Sequence, residues 1–130
     1  LCRSDEITRG NMNEKQELLT IENIDNHPSA RLLRFVGDLD STNAEATSGR
    51  MLGLLEENVT TIVADFSRLR YINSTGLGAL LFVNKKFKEA GGVFKVANVN
   101  ENVLEIIEII GADQLLEIHG TLDEAIESIR

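Results

Sequence analysis

The chain has 130 residues, 42% of them hydrophobic, enough for one domain with a single core and too few for two. Thirteen basic residues face 21 acidic ones, a formal charge of -8 that repels nucleic-acid backbones and anionic membrane surfaces alike, so neither is an expected partner. The only cysteine, Cys2, excludes an intramolecular disulfide and a cysteine metal cluster, and no apolar run approaches the roughly 20 residues that span a bilayer, so a cytoplasmic protein is expected.

Residues 1–16 read as a polar leader, expected to be disordered or vector-derived because Leu1 precedes Met12, and the domain is expected over 17–130. Residues 18–24 form a short, partly apolar strand, and Asn26-His27-Pro28-Ser29 is a turn signal, since Pro28 forces His27 away from helical geometry. Residues 31–36 read as a second strand, antiparallel to the first. Gly37-Asp38-Leu39-Asp40 leaves that strand, and Thr42-Asn43-Ala44-Glu45 is a capping box that starts a helix near Thr42. Ala44, Thr47, Met51, Leu54 and Leu55 share one face of this helix. Gly49 and Gly53 leave the opposite face bare, which means either a weak helix or room for a partner.

Residues 61–66, Thr-Ile-Val-Ala-Asp-Phe, are β-branched and apolar without alternation, as in a central strand covered on both faces. After residues 67–72 comes a polar hinge, Asn73-Ser74-Thr75-Gly76-Leu77-Gly78. Leu77, Leu80, Val83 and Phe87 then mark the buried stripe of a second helix that ends at Ala90 before Gly91-Gly92. A strand over 93–99 follows, then a helix over 101–110 with Val103, Leu104, Ile106, Ile107 and Ile110 at helical spacing. A short apolar stretch over 115–118 and a last helix over 122–129 close the chain. The order implies an α/β layer fold: a mixed sheet of about five strands, an antiparallel hairpin followed by parallel crossovers, packed with about four helices.

Enzymatic signatures fail one by one. Gly76-Leu77-Gly78 invites a dinucleotide reading, but Leu81 stands where the third glycine belongs, and no Walker lysine follows a glycine-rich loop. Ile72 occupies the first glycine position of a nucleophile elbow around Ser74, and His27 and His119 are isolated, so a small serine hydrolase is the least favoured alternative. Asp38, Asp40 and Asp65 are a candidate cation cluster at one sheet end, with loop solvation as the commoner explanation. No catalytic residue, metal ligand or bound cofactor is expected.

The segment from Asp65 to Leu81, Asp-Phe-Ser-Arg-Leu-Arg-Tyr-Ile-Asn-Ser-Thr-Gly-Leu-Gly-Ala-Leu-Leu, resembles the signature of STAS domains, specifically bacterial anti-sigma factor antagonists. Gly37-Asp38-Leu39-Asp40 is similar to the family's Gly-acidic-apolar-Asp segment, and Ile110-Gly111 falls where the family often has Ser-Gly. The resemblance covers residues 18–130. It implies a single STAS domain and a partner switch controlling transcription. The unphosphorylated antagonist binds an anti-sigma factor that is also a serine kinase, phosphorylation of the serine releases it, and a PP2C-type phosphatase reverses the step. ATP belongs to the kinase. Ser74 matches the phosphoacceptor, with Thr75 second, and Asn73 stands where the family carries aspartate. Gly37 to Thr42, including Asp38, Asp40 and Ser41, would form the docking surface with Asn73, Ser74, Thr75, Gly76, Gly78 and Phe82. The alternative within the fold is a STAS signalling module of the stressosome or transport-associated type.

Physical chemistry makes the position coherent. A serine before or at a helix start is ordinarily an N-cap, and a phosphate there meets free N–H groups and the positive helix end, so the fold should survive it. Steps of four from Ser74 reach Gly78, Phe82 and Lys86, a ridge off the buried stripe. Phe82 is therefore either a partner-binding anchor rimmed by Lys85, Lys86 and Glu89, or a ring folded back into the core.

Overall fold

The structure, a computed structural model, describes residues 18–129, so the leader at 1–16 lies outside the described residues. Five strands, β1 (Leu19–Ile24), β2 (His27–Leu39), β3 (Thr61–Ile72), β4 (Val93–Ala97) and β5 (Glu117–His119), form one sheet in sequential order. β1 runs antiparallel to β2, and every later pairing is parallel. The crossovers are helices α1 (Ala44–Glu56), α2 (Ser74–Glu89) and α3 (Glu101–Ile110). A 3-10 turn (Ala112–Gln114) leads to β5, and α4 (Leu122–Glu127) ends the fold. Among the described residues the expected mixed sheet of five strands with four helices is what forms.

Alternation along the strands assigns the two faces of the sheet. Leu33 and Phe35 of β2, Ile62, Ala64 and Phe66 of β3, and Phe94 and Val96 of β4 meet Met51 of α1, Leu77, Leu80, Val83 and Phe87 of α2, and Val103 and Ile107 of α3. Phe35 and Phe66 pack edge to face, centroids 5.1 Å apart. Each fully buried side chain of the α2 stripe is worth about 1.5–3 kcal/mol, which outweighs the modest helix propensity of a segment opening on Ser-Thr-Gly. The opposite face is thinner: Ala30, Leu32, Val63 and Ala97 pack with Ile24 against Ala125 of α4, with Leu122, Ile126 and Ile129 partly buried beside them. β3 is accordingly the central strand, buried on both sides as its composition requires.

Local details correct several expectations. The β1–β2 reversal is at Asp25 and Asn26, with Asn26 in the left-handed region, and Pro28 lies inside β2 rather than in the turn. It sits at the register irregularity between Asn23 and Ile24, where its missing N–H withholds nothing from the ladder. The capping box at Thr42 does not form. The Thr42 hydroxyl donates to Asp40 Oδ1 at 2.6 Å, Asn43 is the N-cap without a side-chain bond to the helix, and α1 starts at Ala44. β2 runs three residues beyond Val36 and includes Gly37, whose φ of 101° at a register shift explains the glycine. The strand expected over 61–66 runs on through residues 67–72, the second half of β3. β4 stops at Ala97, short of 99, and α4 stops at Glu127. In α3 only Val103 and Ile107 are buried, whereas Ile110 is exposed.

Candidate functional site

β3 continues seven residues past its last contact with β4, at Asp65–Ala97, and pairs there with β2 alone as far as Leu39–Ile72. The two strands therefore deliver the start of α1 and the start of α2 to one place. Asn73 joins them. Its backbone N–H donates to Leu39 O at 3.2 Å, its Oδ1 accepts from Gly76 N–H at 2.8 Å, and its Nδ2 donates to Ser41 Oγ at 3.3 Å. Asn73, not Ser74, is thus the N-cap of α2, and the N-cap reading of Ser74 is corrected. Sequence alone offered two adjacent cap formers, and only the extended backbone of Asn73 chooses between them.

Ser74 is the first helical residue. It is exposed, as is Thr75, and the Ser74 hydroxyl has no hydrogen-bond partner among the described residues. The backbone N–H groups of Ser74 and Thr75, at the first two helical positions, have no intrahelical acceptor, so an anion on Ser74 would meet two free donors and the positive end of the helix. Around it lie Ser41 and Thr42 from the β2–α1 loop and Gly78 one turn along α2, all exposed and small. The ridge from Ser74 through Gly78 and Phe82 to Lys86 is exposed throughout. Phe82 is 48% exposed with Lys86 Nζ 5.4 Å from its centroid, so it is not folded into the core.

Other predicted site residues play different parts. Gly76 is buried, and a Cβ there would meet Leu39 O at 2.6 Å and Leu39 Cγ at 2.9 Å. It lets α2 seat against the end of β2 and offers no surface to a partner, which corrects its place in the docking set. Gly37 is a bulge residue inside β2. Asp38 pairs with Arg70 at 3.4 Å while its carbonyl accepts from Asn43 Nδ2. Hydrogen bonds from the Thr42 hydroxyl and backbone N–H hold the Asp40 carboxyl below its ordinary range.

The three aspartates do not converge. Asp65 stands opposite Arg34, four residues of β2 before Asp38, on the face covered by α4. Burial opposes its ionisation, but the Ser67 N–H, Asn98 Nδ2, the Ser67 hydroxyl and Arg34 outweigh that and keep the carboxyl below its usual range. No group of three potential metal ligands occurs among the described residues. Neither histidine is placed at Ser74: His27 opens β2, and His119 Nε2 lies 3.0 Å from Glu117 Oε2 on β5. Among the described residues no helix is long and apolar enough to cross a membrane.

Two features escaped sequence reasoning. One is the Gly76–Leu39 contact. The other is an open groove of about 670 Å³ beside the C-terminal half of α2, with Asn84 and Leu115 in its lining. Neither has a local signal, because each depends on which distant segment arrives at the helix.

Comparison with known proteins places this arrangement. BtrV of Bordetella bronchiseptica, assigned as an anti-sigma factor antagonist, is 28% identical over 107 residues, covering 82% of this chain and 90% of that one. The crystal structure of an assigned anti-sigma factor antagonist from Thermotoga maritima superposes with a TM-score of 0.79 at 23% identity, over 86% of this chain and 94% of the other. The Bacillus cell fate determinant SpoIIAA in its phosphorylated form gives a TM-score of 0.66 at 22% identity, over 86% and 99%. The family model for the STAS domain matches residues 21–125, and the chain belongs to that family.

Proposed function

We propose that this STAS domain is an anti-sigma factor antagonist whose binding is switched at Ser74. Unphosphorylated, it binds an anti-sigma factor that is also a serine kinase and so frees the sigma factor. Phosphorylated on Ser74, it lets the partner go, and a PP2C-type phosphatase resets it. The chain supplies no chemistry of its own, and ATP is held by the kinase. The observation that carries this reading is the Ser74 hydroxyl itself, exposed, without an internal partner, at a capped helix start tied to the β2–α1 loop. The names of BtrV and its relatives support the partner class, and a relative solved in a phosphorylated form supports the modification.

The mechanism follows from where the charge would go. A phosphoryl group adds about 1.5 to 2 negative charges. Within the domain those charges meet free N–H donors and the helix dipole, so folding is not opposed. Against a docked partner the dianion must be desolvated in a surface of small neutral side chains, Ser41, Thr42 and Gly78, that brings no cation with it. Binding is lost while the fold persists. Thr75, exposed one position on, is the secondary acceptor.

The test pairs two measurements. Incubation with the candidate kinase and ATP should place phosphate on Ser74 by mass spectrometry, and Ser74→Ala should abolish it. In pull-downs with the anti-sigma factor, Ser74→Ala should bind and Ser74→Asp should not. Equal retention of both variants, with no phosphate on residues 74 or 75, would refute the switch.

A further inference from the structure

Beside the C-terminal half of α2 lies an open groove of about 670 Å³ whose apolar floor is Leu81, Phe82 and Leu115. Phe82 and Leu115 are 48% and 55% exposed, an unusual pair of large apolar side chains to leave in water next to one another's cleft. Asn84 also lines the groove. Its Nδ2 holds Leu115 O at 3.1 Å, while its Oδ1 is buried without a hydrogen-bond partner among the described residues, an acceptor whose desolvation nothing in the fold offsets. The rim is basic. Lys85 and Lys88, three residues apart on one face, form no ion pair among the described residues, whereas the acidic rim residue Glu89 is engaged by Lys86 at 3.6 Å. Two uncommitted ammonium groups over an apolar floor stand out on a chain of net charge -8.

We propose that this groove is a second docking site, and that its occupant is an amphipathic helical segment of a partner protein carrying an apolar stripe flanked by carboxylates. The stripe covers Leu81, Phe82 and Leu115. Carboxylates one helical turn apart meet Lys85 and Lys88, whose spacing is also one turn. A polar N–H of the segment reaches the Asn84 acceptor once docking displaces the side chains around it. The site goes beyond the Ser74 switch and is not governed by it. Gly78 and Phe82 line the end of the groove nearer Ser74, but the charged contacts are at Lys85 and Lys88, 11 and 14 residues along the helix from Ser74, about 16 and 21 Å of rise, well past the screening length of about 8 Å at physiological salt. Phosphate on Ser74 therefore changes the field in the groove very little. The domain can hold one partner segment continuously while its other end is switched.

The probe is a set of three fluorescein-labelled helical peptides of about four turns, identical in a leucine stripe and differing only in flanking glutamate, glutamine or lysine. Binding is read by fluorescence polarisation and mapped by amide shifts in ¹H–¹⁵N spectra. The glutamate peptide should bind about tenfold more tightly than the glutamine one, the lysine peptide should not bind, and shifts should cluster at Leu81, Phe82, Asn84 and Leu115. Lys85→Glu with Lys88→Glu, both exposed and checked by circular dichroism, should lower affinity at least about tenfold. Leu115→Asn, likewise exposed, should do the same, and Ser74→Asp should leave affinity unchanged. Equal binding of all three peptides, shifts mapping elsewhere, or no binding by the glutamate peptide would overturn the proposal. So would displacement of the peptide by laurate, a dimer that closes the groove in sedimentation, or loss of binding in Ser74→Asp, which would make the groove part of the switched surface.

Discussion

Two glycines two positions apart on α2 should respond to the same substitution with opposite signs. At Gly76 a methyl group would stand 2.6 Å from Leu39 O, 2.9 Å from Leu39 Cγ and 3.0 Å from Leu39 C, whereas at Gly78 nothing lies within 4 Å. Ordinary contact begins near 3.4 Å, so Gly76→Ala forces α2 and the end of β2 apart by roughly 0.8 Å, an overpacking strain of about 1–3 kcal/mol. The same retreat stretches the Asn73 N–H to Leu39 O bond, already 3.2 Å, at a further cost of about 0.5–1.5 kcal/mol. Against this stands a gain in helix propensity of about 1 kcal/mol, leaving a net loss of about 0.5–3.5 kcal/mol. Gly78→Ala has only the gain. Urea unfolding of both variants against wild type, analysed by linear extrapolation, measures the difference. Partner binding adds a second axis: Gly78→Ala should weaken it while raising stability, because the methyl projects from the ridge that carries Ser74. A Gly76→Ala protein as stable as Gly78→Ala would show that the Leu39 contact does not fix the helix, and the account of how the site is held would fail.

Three further outcomes follow from the same geometry. Asn73→Ala removes the cap on Gly76 and the tie to Ser41 and should cost about 1 kcal/mol in urea unfolding, whereas Asn73→Asp keeps the acceptor, adds charge at the positive helix end and should equal or exceed wild type by up to about 1 kcal/mol at low salt. Asp65 has its folded pKa below its ordinary value of 3.8, so the stability it contributes is complete above that value and disappears as pH falls through the folded pKa. The urea midpoint of wild type should therefore fall more steeply below about pH 4 than that of Asp65→Asn, and parallel curves would remove Asp65 from the acid response. Stoichiometric phosphorylation of Ser74 should leave the melting temperature unchanged or higher, and a fall of several degrees would mean that the phosphate acts on folding rather than on binding.

How much of this was legible in sequence depended on how local the cause was. α2 could be read from Leu77, Leu80, Val83 and Phe87 and its stop at Gly91, because each feature lies within the element and all of the stripe is buried. The second half of β3 could not. Two register shifts against β2 each insert a residue, so its inward side chains fall at Phe66, Leu69 and Ile72, a spacing of three that hides the strand period of two. The capping box at Thr42 failed because the Asp40 carboxylate turns the Thr42 N–H and hydroxyl back toward itself, and α1 begins one residue late, behind Asn43, whose Oδ1 is engaged by the Asp40 N–H. Ser74 and its neighbours were singled out through the motif. The roles of Asn73 and Gly76 were not, since both depend on Leu39, which arrives from a strand more than thirty residues away.

The length of β3 carries one more consequence. Past Asp65 the strand has lost β4 as a neighbour, and a free edge of that kind is a template for any extended chain that comes near. Asn100 closes it. Its Nδ2 donates to Leu69 O at 2.7 Å while its Oδ1 accepts from Val103 N–H at 2.8 Å, so the side chain that starts α3 also occupies a backbone acceptor on the open strand. The open stretch of the strand thus has one of its backbone acceptors occupied by the cap of the next helix, at the point where the sheet runs out.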